Sequence, residues 1–320
     1  MGAFYGLALG DALGMPTQAL SRAQIRARYG HIGTLLDACA DQPIAPGMRA
    51  GSVTDDTEQA VLLGWLFVEG GGQVDPHRFA EALRGWEADM IRRGSLDLLG
   101  PSTKRALEQL AAGVDPAEAG STGDTNGAAM RVTPIGIAVR PGDGLVAAVV
   151  QACQVTHNTS LGIAAASAIA AAVSASVDGS SLADALDEAE RAAEQGARFG
   201  HWVPGGEISP RIRWARQWVR GLGRASLADA VAEVIGTSVA AQESVVAAIA
   251  LAEALGDDPM AALTLAASLG GDTDTVAAMC GAILGAHHGL AGLPADLVAK
   301  VRQVNGLDLE PLVDDLLKLR

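Results

Sequence analysis

Two short acidic clusters, GSVTDDTEQA at 51–60 and GGDTDTVAAM at 270–279, combine aspartates with threonines at points more than two hundred residues apart. Adjacent ionised carboxylates repel one another and are costly to hold together without a cation. A hard divalent ion relieves that repulsion and takes oxygen ligands, threonine hydroxyls among them. Asp272 and Asp274 are two apart, so they would not share a face inside a regular helix. They converge if a loop, freed by Gly270 and Gly271, enters a helix at about Thr275. With Asp55 and Asp56 they make four carboxylates, which together with Thr54 and Thr275 would suit two Mg2+ or Mn2+ ions. Neither cluster holds histidine or cysteine, which argues against zinc. The competing reading is two ordinary helix starts, with Asp55 or Thr54 as N-cap and Glu58 closing a capping box three residues after Asp55.

Other segments carry chemistry less directly. STGDTNGAAMR at 121–131 is flexible at Gly123 and Gly127 and then turns helical. It reads either as a tight turn before a helix or as a cradle for a diphosphate at a helix start. No GK[ST] follows, so it is not a Walker loop. His157 lies between Thr156 and Asn158 at a predicted helix start, where a cap or surface role competes with a catalytic one. Asp97 sits in the loop-like stretch RRGSLDLLGPST. In GLALGDALG, Gly6, Gly10 and Gly14 recur every four residues, the spacing of close helix packing, with Asp11 capping or hydrogen-bonding inside. FGHWVPGGEISPRIRW offers Trp202 for stacking and Arg211 or Arg213 for phosphate, although a surface loop with snorkelled arginines explains it more simply. His287-His288 reads as a helix end.

These residues need a scaffold, and the pattern predicts helices. Period-2 alternation of β-branched residues is nearly absent. Helical patterns occupy 20–29, 56–69, 76–92, 101–112, 144–154, 160–176, 181–198, 211–221, 226–236, 240–255, 259–268, 274–288, 294–303 and 309–318. Asp75-Pro76, Asp115-Pro116 and Asp258-Pro259 mark helix starts. No long linker divides the 320 residues, so one all-α domain with a few functional loops is expected, the polar stretches 113–127 and 199–210 among them.

Hydrophobic residues make up 49%, yet aromatics only 3%, and glycine is frequent at 39. Small side chains let helices approach closely. A net charge of −14 argues against a general nucleic-acid binder, which needs a basic footprint. The three cysteines are scattered and fit a reducing compartment. The N-terminus does not read as a signal peptide, and the run 161–177 is too rich in Ala and Ser for a convincing membrane span. A cytoplasmic protein is expected.

The ordered blocks GLALGDALGMPTQ, VTDDTEQA, GDTNGAAMRVTPIG, VTHNTSLG and GGDTDTVAAMCGAILGA resemble the ADP-ribosylglycohydrolase family along nearly the whole chain. The resemblance implies an all-α bundle and a binuclear Mg2+ or Mn2+ site with ligands Thr54, Asp55, Asp56, Asp272, Asp274 and Thr275. It also implies substrate contact by Gly123, Asp124, Thr125, Asn126, Gly127 and Met130, with His157 near the distal substrate pocket and Asp97 near the ribose or scissile bond. Many relatives carry a glutamate near position 18, where this chain has Gln18. The implied activity is hydrolysis of an ADP-ribosyl group, most readily from arginine of a modified protein, with Asp55, Asp56 and Asp97 in catalytic roles. Hydrolysis of a small ribosyl compound and non-catalytic ADP-ribose binding are the alternatives.

Overall fold

A computed structural model describes residues 1–95 and 99–320. Among the described residues the regular elements are all helices, and the only β-pairings are isolated bridges, Leu20 with Gly271, Thr125 with Ala240 and Thr159 with His201. Two of these bridges involve residues, Gly271 and Thr125, that line the cavity described below.

The centre of the fold is the helix Ser160–Val177, SLGIAAASAIAAAVSASV. It is 18 residues long with mean hydropathy 1.8, so by length and composition it could cross a membrane. Here 89% of it is buried by protein, because alanine and serine leave room for neighbours on every side. The helices Leu182–Gly196, Thr133–Ala138, Gly127–Arg131, Asp143–Cys153, Ala241–Leu255 and Thr273–His288 pack around it.

The closest pairing joins the N-terminal helix Gly2–Gly14 to Thr273–His288, called the DTDT helix below. A Cβ added at Gly6 would stand 2.0 Å from the Gly281 carbonyl oxygen, and one at Gly10 2.1 Å from that of Ala277. The two backbones therefore touch, as the four-residue glycine spacing predicts. The glycine spacing reads as helix packing, yet Gly2–Gly14 falls outside the helical patterns that periodicity marks, because four glycines are poor helix formers. Its stability comes from burial, since every residue of it is buried.

Helix starts follow the expected chemistry at Asp75, Asp115 and Asp258, each accepting a backbone N–H in front of a proline. Two expectations need correction. The predicted helix 226–236 is a short helix, Arg224–Asp229, continued by π-helical Ala230–Ile235. The cap of Asp55–Glu69, the TDDT helix, is Thr54, whose hydroxyl accepts from the Asp56 N–H. Glu58 closes no capping box; it accepts from Trp86 Nε1 at 2.6 Å and pairs with Arg93 at 2.9 Å. A tertiary indole and guanidinium outcompete one local N–H.

Candidate metal centre and substrate cleft

The TDDT and DTDT helices bring their N-terminal ends together. Thr275 Oγ1 donates to Asp56 Oδ2 at 3.3 Å, a contact between residues 219 apart in sequence. The DTDT helix begins at Thr273, with Asp272 as its N-cap residue, two residues earlier than expected. Gly270 and Gly271 both take positive φ, at 79° and 76°, which lets the chain turn sharply into it. Asp272 N–H is then held by the Thr237 carbonyl at 2.7 Å.

The helix bearing the first cluster is held from behind by Asp11. Its carboxylate accepts the Thr54 amide at 3.0 Å, the Thr54 hydroxyl at 2.8 Å and the Thr57 amide at 3.1 Å, and it also accepts the Thr57 hydroxyl. An internal carboxylate thus satisfies the helix N-terminus and complements its dipole. Burial pushes the Asp11 carboxyl up to about 6, with those hydrogen bonds opposing the shift.

Asp56 is fully buried, and its pKa is raised well above the ordinary carboxylate value. Desolvation is the largest cause; repulsion from Asp55, Asp274, Asp11 and Asp272 adds to it. The five carboxylates therefore share one electrostatic neighbourhood. Asp272 is also raised by burial, opposed by hydrogen bonds from Asn126 and Thr275. Asp56 Oδ1 is buried without a hydrogen-bond partner among the described residues, so its desolvation is not offset by them. An orphaned carboxylate oxygen among like charges, beside the hydroxyls of Thr54 and Thr275, fits a hard divalent cation.

A cavity of about 510 Å³ opens beside this cluster. Asp55, Asp272, Asp274 and Thr275 line it together with Thr125, Asn126, Gly127 and Met130. Thr54 and Asp56 stand behind that wall. Asn126 joins the two halves: its Nδ2 donates to Asp272 Oδ2 at 2.5 Å and to Ser244 Oγ at 3.0 Å. Its backbone N–H is spent on the Val239 carbonyl at 2.9 Å rather than left free for an anion.

Three expected substrate contacts are not on the cavity wall. Asp124 is exposed, and its carbonyl accepts from Ala241 N–H at 3.1 Å. Gly123 packs under the Thr156 carbonyl, where a Cβ would come within 2.1 Å of the oxygen. His157 is fully buried and reaches the cavity only through Thr125, its Nε2 lying 2.9 Å from Thr125 Oγ1. Asp97 lies outside the described residues. Trp202 is 79% exposed on the surface, and Arg211 donates to the Gln242 and Ile235 carbonyls.

Local reading did not single out several wall residues. Ile44 and Val239 come from irregular segments, and Pro101 and Thr103 from a helix start. Gln42, in the long loop before Thr54, is buried at 2% exposure and donates to the Gln18 carbonyl at 2.8 Å. That bond fastens the loop carrying Ile44 beside Gln18. Gln18 lines the cavity, and its Nε2 is buried without a hydrogen-bond partner among the described residues.

The ADP-ribosylglycohydrolase family model matches residues 1–320. The uncharacterized protein YegU of Escherichia coli K12 is 35% identical over the whole chain and 96% of its own length. An ADP-ribosyl-[dinitrogen reductase] glycohydrolase of Rhodospirillum rubrum is 30% identical over 172 residues, about half of each chain. A solved structure titled "ADP-ribosylglycohydrolase-related protein complex" superposes with a TM-score of 0.71 at 26% identity, covering 99% of this chain and 95% of that one. With its all-helical architecture and ordered acidic blocks matched from end to end, the chain belongs to the ADP-ribosylglycohydrolase family.

Proposed function

We propose that the protein is a metal-dependent hydrolase that cleaves the glycosidic bond of an ADP-ribosyl group, acting in the cytoplasm on a modified protein. The observation that carries this reading is the meeting of Asp56 with Thr275 at the edge of a cavity large enough for part of a nucleotide sugar. Thr54, Asp55, Asp56, Asp272, Asp274 and Thr275 would hold two Mg2+ or Mn2+ ions. Bound there, the ions supply Lewis acidity and a grip on vicinal ribose hydroxyls.

The chain's own groups do the rest. Among the described residues, no three carboxylate, imidazole or thiol groups already stand as a closed ligand group. Thr275 and Asn126 hydrogen-bond two of the carboxylates, at Asp56 and Asp272, and would exchange those bonds on loading. Asp55, on the cavity wall, would orient water toward the anomeric carbon, where oxocarbenium character develops. Thr125 and Asn126, beside the carboxylates on the same cavity wall, would contact the ADP-ribosyl oxygens, and Met130, Leu99 and Pro101 would exclude bulk water.

An arginine guanidinium is the leaving group proposed first. Gln18 favours a second reading, a small or neutral-leaving ribosyl substrate, because an amide on the wall cannot pair with a guanidinium as a carboxylate would.

The test is release of ADP-ribose from ADP-ribosyl-arginine, ADP-ribosyl-serine and O-acetyl-ADP-ribose, with nucleosides as a further arm, in Mg2+ and in chelator. Expected is Mg2+-dependent release from at least one ADP-ribosyl compound, lost in Asp55→Ala. Full turnover of that variant in chelator, or no turnover of any compound by the metal-loaded protein, overturns the proposal.

A further inference from the structure

Arg131 is 1% exposed, and no salt bridge reaches it among the described residues. A guanidinium so placed loses its hydration and must recover it through the bonds it donates. NH1 donates to Gln59 Oε1 at 3.1 Å, NH2 donates to Thr156 Oγ1, and the group lies 4.9 Å from the centroid of the Phe79 ring. Arginine only donates, so each acceptor it engages has its polarity fixed.

Two arms run from it to the cavity. In the first, Gln59 spends its carbonyl on Arg131 and turns its Nε2 to Asp55 Oδ2 at 3.1 Å. In the second, Thr156 Oγ1 accepts from Arg131 and keeps one proton. The acceptor in reach of that proton is His157 Nδ1, at 2.8 Å. Nδ1 accepting leaves the ring proton on Nε2, which donates to Thr125 Oγ1 at 2.9 Å. Thr125 has then accepted one bond and keeps its own proton to donate, and the residue lines the cavity. Burial, with Arg131 adding to it, holds the imidazole well below its ordinary pKa and therefore neutral, as the chain of donors requires.

The fold makes room for this path. A Cβ at Gly127 would stand 2.9 Å from His157 Cε1, and one at Gly162 would stand 2.9 Å from the His157 carbonyl oxygen. Glycine at 123 admits the Thr156 carbonyl in the same way. The glycines of the GDTNGAAMR block thus seat the histidine.

We propose that Arg131 is a positioning residue: through Thr156 it fixes the Nε2–H tautomer of His157 and makes the Thr125 hydroxyl a directed donor to an acceptor oxygen of the substrate. The substrate half rests on the ADP-ribosyl reading above; the tautomer half does not.

The chain has six histidines, so long-range 1H–15N correlation spectra of the metal-free protein are tractable, with His157 assigned by its loss in His157→Gln. Expected is a neutral Nε2–H pattern in the parent protein. Thr156→Val and Arg131→Met should move it toward a mixture with the Nδ1–H form, and Thr156→Ser should restore it. An Nδ1–H ring in the parent, or an unchanged pattern in both Thr156→Val and Arg131→Met variants that keep the native helical spectrum, overturns the tautomer half. Should either variant not fold, the parent pattern and Thr156→Ser still decide it. Calorimetry with ADP-ribose reads the substrate half: Thr125→Val should bind between about twofold and tenfold more weakly, and Thr125→Ser like the parent. Equal affinity for Thr125→Val overturns that half. A parent protein that binds no ADP-ribose overturns it together with the functional reading, and leaves the tautomer half standing on the spectra.

Discussion

Asp11, in the last turn of the N-terminal helix, accepts both the amide and the hydroxyl of Thr54, the residue that starts the TDDT helix. One carboxylate therefore ties the glycine-faced helix pair to the segment that presents Asp55 and Asp56. Asp11→Asn keeps the shape but puts an amide NH2 against groups that donate. We expect a loss of about 2–4 kcal/mol of unfolding free energy, read by chemical denaturation, with Mg2+ affinity falling in parallel. Parent-like stability would show that these bonds contribute no net stability.

The crowded carboxylates predict a stability that depends on divalent ions. Mg2+ at about one hundred times its dissociation constant should add about 2.7 kcal/mol to the parent protein, because the unfolded chain does not hold the site. Asp56→Asn removes a buried carboxyl repelled by Asp55, Asp274, Asp11 and Asp272, so the metal-free variant should melt no lower than the metal-free parent while its gain from Mg2+ disappears. Thermal melts with and without chelator check both halves.

Among the described residues, Gln18 Nε2 is buried and finds no acceptor. Gln18→Glu adds a carboxylate to a wall that already holds Asp55, Asp272 and Asp274. Mg2+ binding should tighten, and the ratio of turnover on ADP-ribosyl-arginine to that on a neutral-leaving substrate should rise by about tenfold, the worth of one charge-assisted bond. Steady-state comparison of the two substrates measures the ratio.

Gly10→Ala would drive a Cβ to within 2.1 Å of the Ala277 carbonyl, backbone that cannot swing aside. Separating the N-terminal and DTDT helices should cost about 3 kcal/mol and displace Asp274, the other end of the same contact. Gly85→Ala, with open space at its Cβ, is the control expected to be neutral or slightly stabilising. Denaturation midpoints of the two variants test the difference.

His157 gives a pH dependence. Its folded pKa is depressed by burial from an ordinary value near 6.5, so the unfolded chain binds the proton that the folded chain refuses. Its contribution to stability is complete above about 6.5 and is lost as pH falls below that value, at up to about 1.4 kcal/mol per pH unit. The slope of unfolding free energy between pH 6.5 and 5 should therefore be shallower in His157→Gln than in the parent. Identical slopes would mean that the imidazole is protonated in the fold.

Sequence alone determined the parts that depend on near neighbours along the chain. Asp-Pro starts placed three helices, and four-residue glycine spacing announced a close backbone contact. The threonine–aspartate clusters stood out because like charges side by side demand a partner. Tertiary structure alone decided which partner each group finds. It made a helix of a glycine-rich N-terminus, sent Glu58 to Trp86 and Arg93 instead of a local amide, and left Asp124 facing solvent. It also drew Arg131, Thr156 and His157 into one line. The reason is range: propensity and capping act within a turn or two, whereas burial and hydrogen-bond direction depend on groups that only the packed chain brings within 3 Å.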